Sequence, residues 1–306
     1  MAEQGKTAEL RIRDGGIAPA LLRLIRPGQW AKNTLIVAPM LLGHRLSSPE
    51  IWGPAITAFF AFSFCASALY VWNDLLDVNA DQAHPRKRLR PLAAGTVTPR
   101  AAMVAMTVLL AASVGLSTLL PPATWGLLLA YAGGSICYSA LLKRLTVIDV
   151  VTLAAFYTLR IFYGGAATGI KVSVWTMAFS VFLFLSLALI KRLTELRGAT
   201  SKADAAVVGR SYRPEDLPVL GSLAAASGYL AALVVGLYIQ SPEVQALYTK
   251  PQYLWFLMPA LIYWISRALV LANRGEMDDD PVLYALRDPA SYVAGACCAL
   301  VAYLAT

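Results

Sequence analysis

The sequence predicts an all-α, polytopic membrane protein with about nine transmembrane helices. Three observations predict it. Of the 306 residues, 58% are hydrophobic and only 14% are charged, against ~45–50% apolar and ~25% charged in a soluble domain. The apolar residues fall in runs close to the ~20 residues a helix needs to cross a bilayer, with no two-residue alternation. The basic residues segregate. With the N-terminus placed in the cytoplasm, only Arg45, Lys171 and Lys250 of the 26 Lys and Arg lie on the opposite side, and only Arg160 lies within a span. That is the positive-inside pattern, with N-in, C-out topology.

The same arithmetic excludes a water-soluble globule, a disordered chain and a coiled coil. Mean hydropathy is +0.59 and the pI is about 9.4. In a chain this apolar, the net charge of +8 marks a cytoplasmic membrane face, and no nucleic-acid partner is expected. The two histidines, His44 and His84, cannot build a multi-histidine metal site. Cys65, Cys137, Cys297 and Cys298 lie in apolar runs without a C-x-x-C pair, as packing residues in a reduced setting do. The first thirty residues contain no long apolar core with a cleavage site, so no cleaved signal peptide is expected.

In chain order, residues 1–25 form a cytoplasmic segment, and 26–306 form one transmembrane domain. Ile17–Arg26 mixes apolar residues with Arg23 and Arg26 and suits a helix lying in the interface. Candidate spans follow at 30–46, 52–76, 101–120, 123–142, 147–169, 173–193, 217–240, 252–271 and 289–306. The first and last are short. Two charged loops, about 80–99 and 195–216, lie on the cytoplasmic side, so function is expected there. The protein is expected in the inner (cytoplasmic) membrane.

The strongest chemical signal closes the second span. At ~100° per residue, Asn73, Asp77, Asp81 and Asp74 share one stripe of a helix. Three carboxylates at a helix C-terminus repel one another and oppose the macrodipole, so local stability does not explain them. A hard cation does. Oxygen donors without His or Cys suit Mg2+, which bridges carboxylates to substrate phosphates, with Mn2+ as an alternative. The loop that follows carries Arg86, Lys87, Arg88 and Arg90, donors for a diphosphate.

Other ionisable residues mark a substrate cavity. Arg160 lies roughly 20 Å along the fifth span, on nearly the same face as Asp149, with Tyr157 one turn below and Gly164-Gly165 beyond it for close helix packing. Lys191, Arg192 and Glu195 end the sixth span, as a second set of phosphate donors or as a helix-end salt bridge. Lys143-Arg144 extends the basic wall; Arg210 and Tyr212 are weaker candidates. Near the first span, Trp30 suits the interface, and Gln29, Lys32 and Asn33 suit anion binding at headgroup depth.

These residues carry a resemblance. R-P-x-Q-W-x-K-N at 26–33, N-D-x-x-D-x-x-x-D-x-x-H-P-x-K-R-x-R-P at 73–91 and K-R-x-x-E-L at 191–196 resemble the UbiA superfamily of intramembrane prenyltransferases. Within it they are most similar to the decaprenyl-phosphate phosphoribosyltransferases. The resemblance implies a helical bundle with a cytoplasmic active-site cavity and magnesium. It also implies transfer of 5-phosphoribosyl from phosphoribosyl diphosphate (PRPP) to a polyprenyl phosphate within the lipid bilayer. Other superfamily members carry a second Asp-rich motif where this chain has Lys191, Arg192 and Glu195, which favours a sugar-phosphate donor. On this reading Asn73, Asp74, Asp77 and Asp81 hold the metal. Lys87, Arg88, Arg90, Lys191 and Arg192 bind phosphate, with Glu195 orienting them or bonding ribose. Gln29, Lys32 and Asn33 receive the lipid phosphate. An aromatic prenyltransferase of the same fold and a non-enzymatic transporter stay open as rivals, and so does the oligomeric state, a homo-oligomer included.

Overall fold

The computed structural model describes residues 17–83, 87–198, 212–277, 280–285 and 287–306. His84, Arg86 and Arg210 lie outside them. The described residues are helices and turns, with no strand among them. Six helices are long and apolar enough to cross a membrane: Pro49–Leu76, Pro99–Ser117, Ile148–Thr168, Val174–Arg197, Pro214–Ile239 and Pro251–Arg274. This is a multi-pass membrane protein.

The expected spans at 123–142 and 289–306 form helices at Ala123–Ala140 and Pro289–Ala305, outside that set of six. The expected span at 30–46 differs in kind. Residues Pro27–Val37 form a 3-10 helix, followed by a short α-helix, Ala38–Leu42. Pro39 lacks the N–H that would continue an α-helical ladder, and Gln29, Lys32 and Asn33 interrupt the apolar run. Local chemistry sets other boundaries. Thr98, Ser173 and Asp288 each N-cap a helix by accepting a backbone N–H three residues on. Gly275, at φ 74°, ends Leu257–Arg274 in the left-handed conformation.

The chain divides into two compact units. The first holds the chain up to Ser139 together with Arg160–Lys171. Its centre is the Trp52–Leu76 helix, whose buried residues are largely small: Ala55, Ala58, Ala61, Cys65, Ala66 and Ala68. Small side chains let backbones approach where lipid provides no hydrophobic drive for helix association. The Pro99–Ser117 helix takes that position, and the Ser113 hydroxyl donates to the Ala61 carbonyl at 2.7 Å. Gly164 marks the closest approach. A Cβ there would lie 1.9 Å from the Ile36 carbonyl oxygen.

The second unit holds Ala140–Leu159 and the chain from Val172 onward. Val174–Arg197 packs along Leu217–Ile239, with the Ser186 hydroxyl donating to the Ala224 carbonyl at 2.7 Å. Gly228 admits Ile265 from the Leu257–Arg274 helix. In both units large apolar side chains point outward, for example Val104, Val108 and Val114, and Val219, Leu233 and Leu237. They form the lipid-facing surface.

Candidate active site

In the first unit, the Trp52–Leu76 helix stops one residue before Asp77, and Val78–Ala83 resumes as a separate short helix. The acidic stripe is therefore carried by two helices rather than one. Asp and Asn compete for backbone hydrogen bonds and favour breaks of this kind. The break is mild: the Asp77 N–H still donates to the Asn73 carbonyl, and the Asp81 N–H to the Asp77 carbonyl.

The two helices bring Asp74 and Asp81 to one guanidinium. Arg90 Nη1 lies 3.1 Å from Asp74 Oδ1 and 2.7 Å from Asp81 Oδ2. Arg26 Nη2 grips the other side of Asp74, 2.6 Å and 2.7 Å from its two oxygens. The Asp74 and Asp81 side chains are only 3% and 4% exposed, whereas Arg26 and Arg90 remain 26% and 29% exposed. Charge-assisted pairs of this geometry offset the desolvation of buried carboxylates. No third acid joins them: no group of three or more His, Cys, Asp or Glu is placed to hold a metal among the described residues. Asn73 and Asp77 are half-buried beside the pair. The donor set fits a hard cation in type, all oxygen, with two buried carboxylates already converging on one positive centre.

Arg26 is the site residue that sequence reasoning missed. It follows the Ile17–Ile25 helix at φ 57°, ψ 57°, a left-handed position where Gly is the usual choice. A side chain that reaches a residue 48 positions away is the reason for an Arg there. Its position just beyond a helix end was the available signal. Arg26 also lies over the Tyr70 ring, 5.2 Å from its centroid.

The nearby 3-10 helix is tied down by its polar residues. Trp30 Nε1 donates to the Ser67 hydroxyl at 2.9 Å, and that hydroxyl donates to the Ile25 carbonyl. Asn33 is 1% exposed. Its amide donates to the Ser63 hydroxyl at 2.9 Å, and its Oδ1 accepts from Arg160 Nε at 2.9 Å. Arg160 lies over the paired Phe62 and Tyr131 rings, 5.0 Å and 5.2 Å from their centroids. The structure thus joins two residues read separately from the sequence, 127 positions apart. Lys32 is buried and Gln29 half-buried. Lys87 and Arg88 sit exposed on a 3-10 turn, Lys87–Leu89.

The second unit assembles another cluster. Asp149, fully buried, accepts from Arg192 Nε at 2.5 Å and from the Tyr212 hydroxyl at 2.6 Å. Arg192 also pairs with Glu195, one turn along its own helix. The Tyr212 oxygen accepts the Val147 N–H at 2.9 Å. Val147 stands at φ 68°, a strained conformation for a β-branched residue. Burial first, and then the bond to Asp149, push the Tyr212 phenol above its ordinary pKa range. Arg192 is only 2% exposed and is enclosed by carboxylates. Lys191 is 25% exposed, with a long 3.8 Å contact to Asp280. Of the two expected phosphate donors, Lys191 is the accessible one. Tyr157 stacks on Phe184 at 5.0 Å between centroids, and Lys143 is half-buried in the Leu142–Arg144 turn.

The fold and site define a class: an apolar, helical, membrane-spanning protein with a buried acidic pair beside a basic turn. The UbiA prenyltransferase family matches residues 34–287, and the chain belongs to that family. Protein y4nM of Sinorhizobium fredii is 36% identical over 89% of this chain; the match spans about half, 53%, of that protein's length. The nodulation protein NoeC of Azorhizobium caulinodans is 34% identical over 88% of this chain and 87% of its own. The decaprenyl-phosphate phosphoribosyltransferase of Corynebacterium glutamicum is 38% identical over 59% of this chain and 55% of its own. Among solved structures, a digeranylgeranylglyceryl phosphate synthase superposes with a TM-score of 0.65 at 16% identity, covering 94% of this chain and 98% of that one. A UbiA homologue from Archaeoglobus fulgidus bound to GPP and Mg2+ superposes with a TM-score of 0.64 at 18% identity, covering 92% and 99%. At these identities the structural likeness establishes the fold.

Proposed function

We propose that the protein transfers 5-phosphoribosyl from PRPP to a polyprenyl phosphate, decaprenyl phosphate or a similar lipid, and releases diphosphate. The observation that carries this reading is the Asp74–Asp81 pair, buried, converging on one cation and followed at once by a basic turn. Relatives named decaprenyl-phosphate phosphoribosyltransferase, at 38% and 34% identity over 59% of this chain, support the choice of donor and acceptor.

Asn73, Asp74, Asp77 and Asp81 would hold magnesium, and bound magnesium neutralises charge on the departing diphosphate. The Archaeoglobus homologues bound to Mg2+ and to Cd2+ support a role for a divalent ion. Lys87, Arg88 and Arg90 take diphosphate oxygens. In the second unit Lys191 is the accessible phosphate donor, with Arg192 and Glu195 holding that helix end in place. Gln29 and Lys32 receive the lipid phosphate, while Asn33 orients Arg160. The lipid phosphate oxygen attacks C1, its new C–O bond forming as the C1–diphosphate bond breaks, so the anomeric centre inverts. A phosphate monoester has its second pKa near ~6 and is largely dianionic at neutral pH, so no general base is required. Positioning and charge stabilisation then supply the rate. The site faces the cytoplasm in the inner membrane, where the basic loops lie.

The test is incubation of membranes containing the protein with ribose-labelled PRPP and decaprenyl phosphate, followed by organic extraction. Label in the lipid phase is expected. If label from a prenyl diphosphate passes to an aromatic acceptor instead, the protein is an aromatic prenyltransferase and this donor assignment fails.

A further inference from the structure

The two buried carboxylates of the acidic cluster are already neutralised. Asp74 accepts from Arg26 and Arg90, and Asp81 from Arg90. A metal ion drawing on Asp74 and Asp81 competes for these carboxylates with the guanidinium held at 2.7 Å on Asp81 Oδ2. Arg90 is 29% exposed, so its head can leave the pair for a ligand on the solvent side without opening the core. Arg26 is differently placed. Its backbone is held in a left-handed conformation that only Gly adopts cheaply, and it grips both Asp74 oxygens.

We propose that Arg26 and Arg90 are placeholder cations that make metal binding depend on diphosphate. Without diphosphate, Arg90 competes with the metal for Asp74 and Asp81, and the metal binds weakly. When diphosphate arrives, its oxygens replace the carboxylates as partners of Arg90, and the carboxylates are released to the metal. The same arginine thus opposes the metal alone and favours the metal together with diphosphate. Arg26 limits Asp74 to one further partner at a time and tunes the same competition. The inference rests on the reading of this cluster as the metal–diphosphate site. It adds an order of binding and a role for Arg26.

The experiment measures Mn2+ affinity of the purified full-length protein by the electron paramagnetic resonance signal of free Mn2+, with and without inorganic diphosphate, each series corrected by a protein-free titration for the Mn2+ that diphosphate binds in solution. In the wild type, diphosphate is expected to tighten Mn2+ binding at least tenfold. Arg90→Gln is expected to bind Mn2+ alone roughly tenfold tighter than the wild type, because the competitor is gone. Its gain from diphosphate should fall below about threefold. Arg90→Lys, which keeps the charge, should remain close to the wild type. Arg26→Gly removes the second guanidinium while relieving the backbone strain, so it tests the same competition in a fold that loses no backbone stability. It too should bind Mn2+ alone more tightly.

Equal or weaker Mn2+ binding by both folded variants, Arg90→Gln and Arg26→Gly, overturns the proposal. So does tight Mn2+ binding by the wild type with no gain from diphosphate. The donor assignment is tested separately. If the coupling holds but PRPP is not consumed, the donor is wrong and this inference stands. If PRPP is consumed without the coupling, this inference alone fails.

Discussion

Asp149→Asn exposes the largest electrostatic dependency in the second unit. Asp149 is fully buried, and its partner Arg192 is 2% exposed. The asparagine keeps the shape and still offers an oxygen to the Tyr212 hydroxyl, but it loses the charge. Arg192 then retains Glu195 as a carboxylate partner. Removing one member of a buried pair costs about 3–5 kcal/mol, because the surviving charge stays out of water. Glu195 remains, so the low end, about 3 kcal/mol, is the expected loss. The second step is the informative one. Asp149→Asn combined with Arg192→Met removes the orphaned cation and should recover most of that loss, since Glu195 is 17% exposed and can turn to water. The assay is thermal and denaturant unfolding of the four proteins of the cycle in one detergent. A double variant no more stable than Asp149→Asn would refute the argument, and so would an Asp149→Asn protein as stable as the wild type.

Other outcomes follow from single contacts. EDTA should abolish transferase activity, and Mg2+ or Mn2+ should restore it; Asp77→Asn should lose most turnover, and full activity of that variant in EDTA would remove the metal from the reaction. Gly164→Ala places a methyl 1.9 Å from the Ile36 carbonyl oxygen, so the helix must retreat from the Pro27–Val37 segment; unfolding should report a loss of about 1–3 kcal/mol, the usual cost of overpacking. Arg160→Leu deletes two ring contacts and the bond to buried Asn33, with an expected loss of a few kcal/mol in unfolding measurements, and full stability of the variant would show that this cluster holds nothing together.

The helices were legible because a lipid solvent demands long apolar runs, and the long runs at 52–76, 173–193 and 217–240 reappear almost unchanged as helices. The acidic cluster was legible because charge of one sign at a helix end has no local benefit. What the sequence hides is pairing across distance. Arg26 reaches Asp74 over 48 residues, Arg192 reaches Asp149 over 43, and Arg160 reaches Asn33 over 127. Helical periodicity places a residue on a face but does not say which face of which helix it meets. The 3-10 form of Pro27–Val37 was hidden for a different reason. Its polar residues look like interruptions of an ordinary span until their partners Ser63, Ser67 and Arg160 are seen.

Those partners also divide the cations by task. The four buried aspartates of the described chain are Asp74, Asp81, Asp149 and Asp288. Each is paired with arginine: Arg26 and Arg90, Arg90, Arg192, and Arg267. A planar guanidinium is weakly hydrated and bonds a carboxylate through a fixed fork, so it serves buried acids better than a compact, strongly hydrated ammonium. Three lysines are deployed differently. Lys87 lies exposed on the basic turn, Lys143 is half-buried in its own, and Lys191, 25% exposed, lies 3.8 Å from Asp280. An ammonium left near the surface on a flexible stem can follow a phosphate as a ligand moves, which a guanidinium locked between carboxylates cannot. Arg192 is therefore the buried member of that pair and Lys191 the accessible one. Arg26, Arg90 and Arg267 belong to both groups, because each is bonded to a buried acid while a quarter or more of its side chain, 26%, 29% and 29%, stays open.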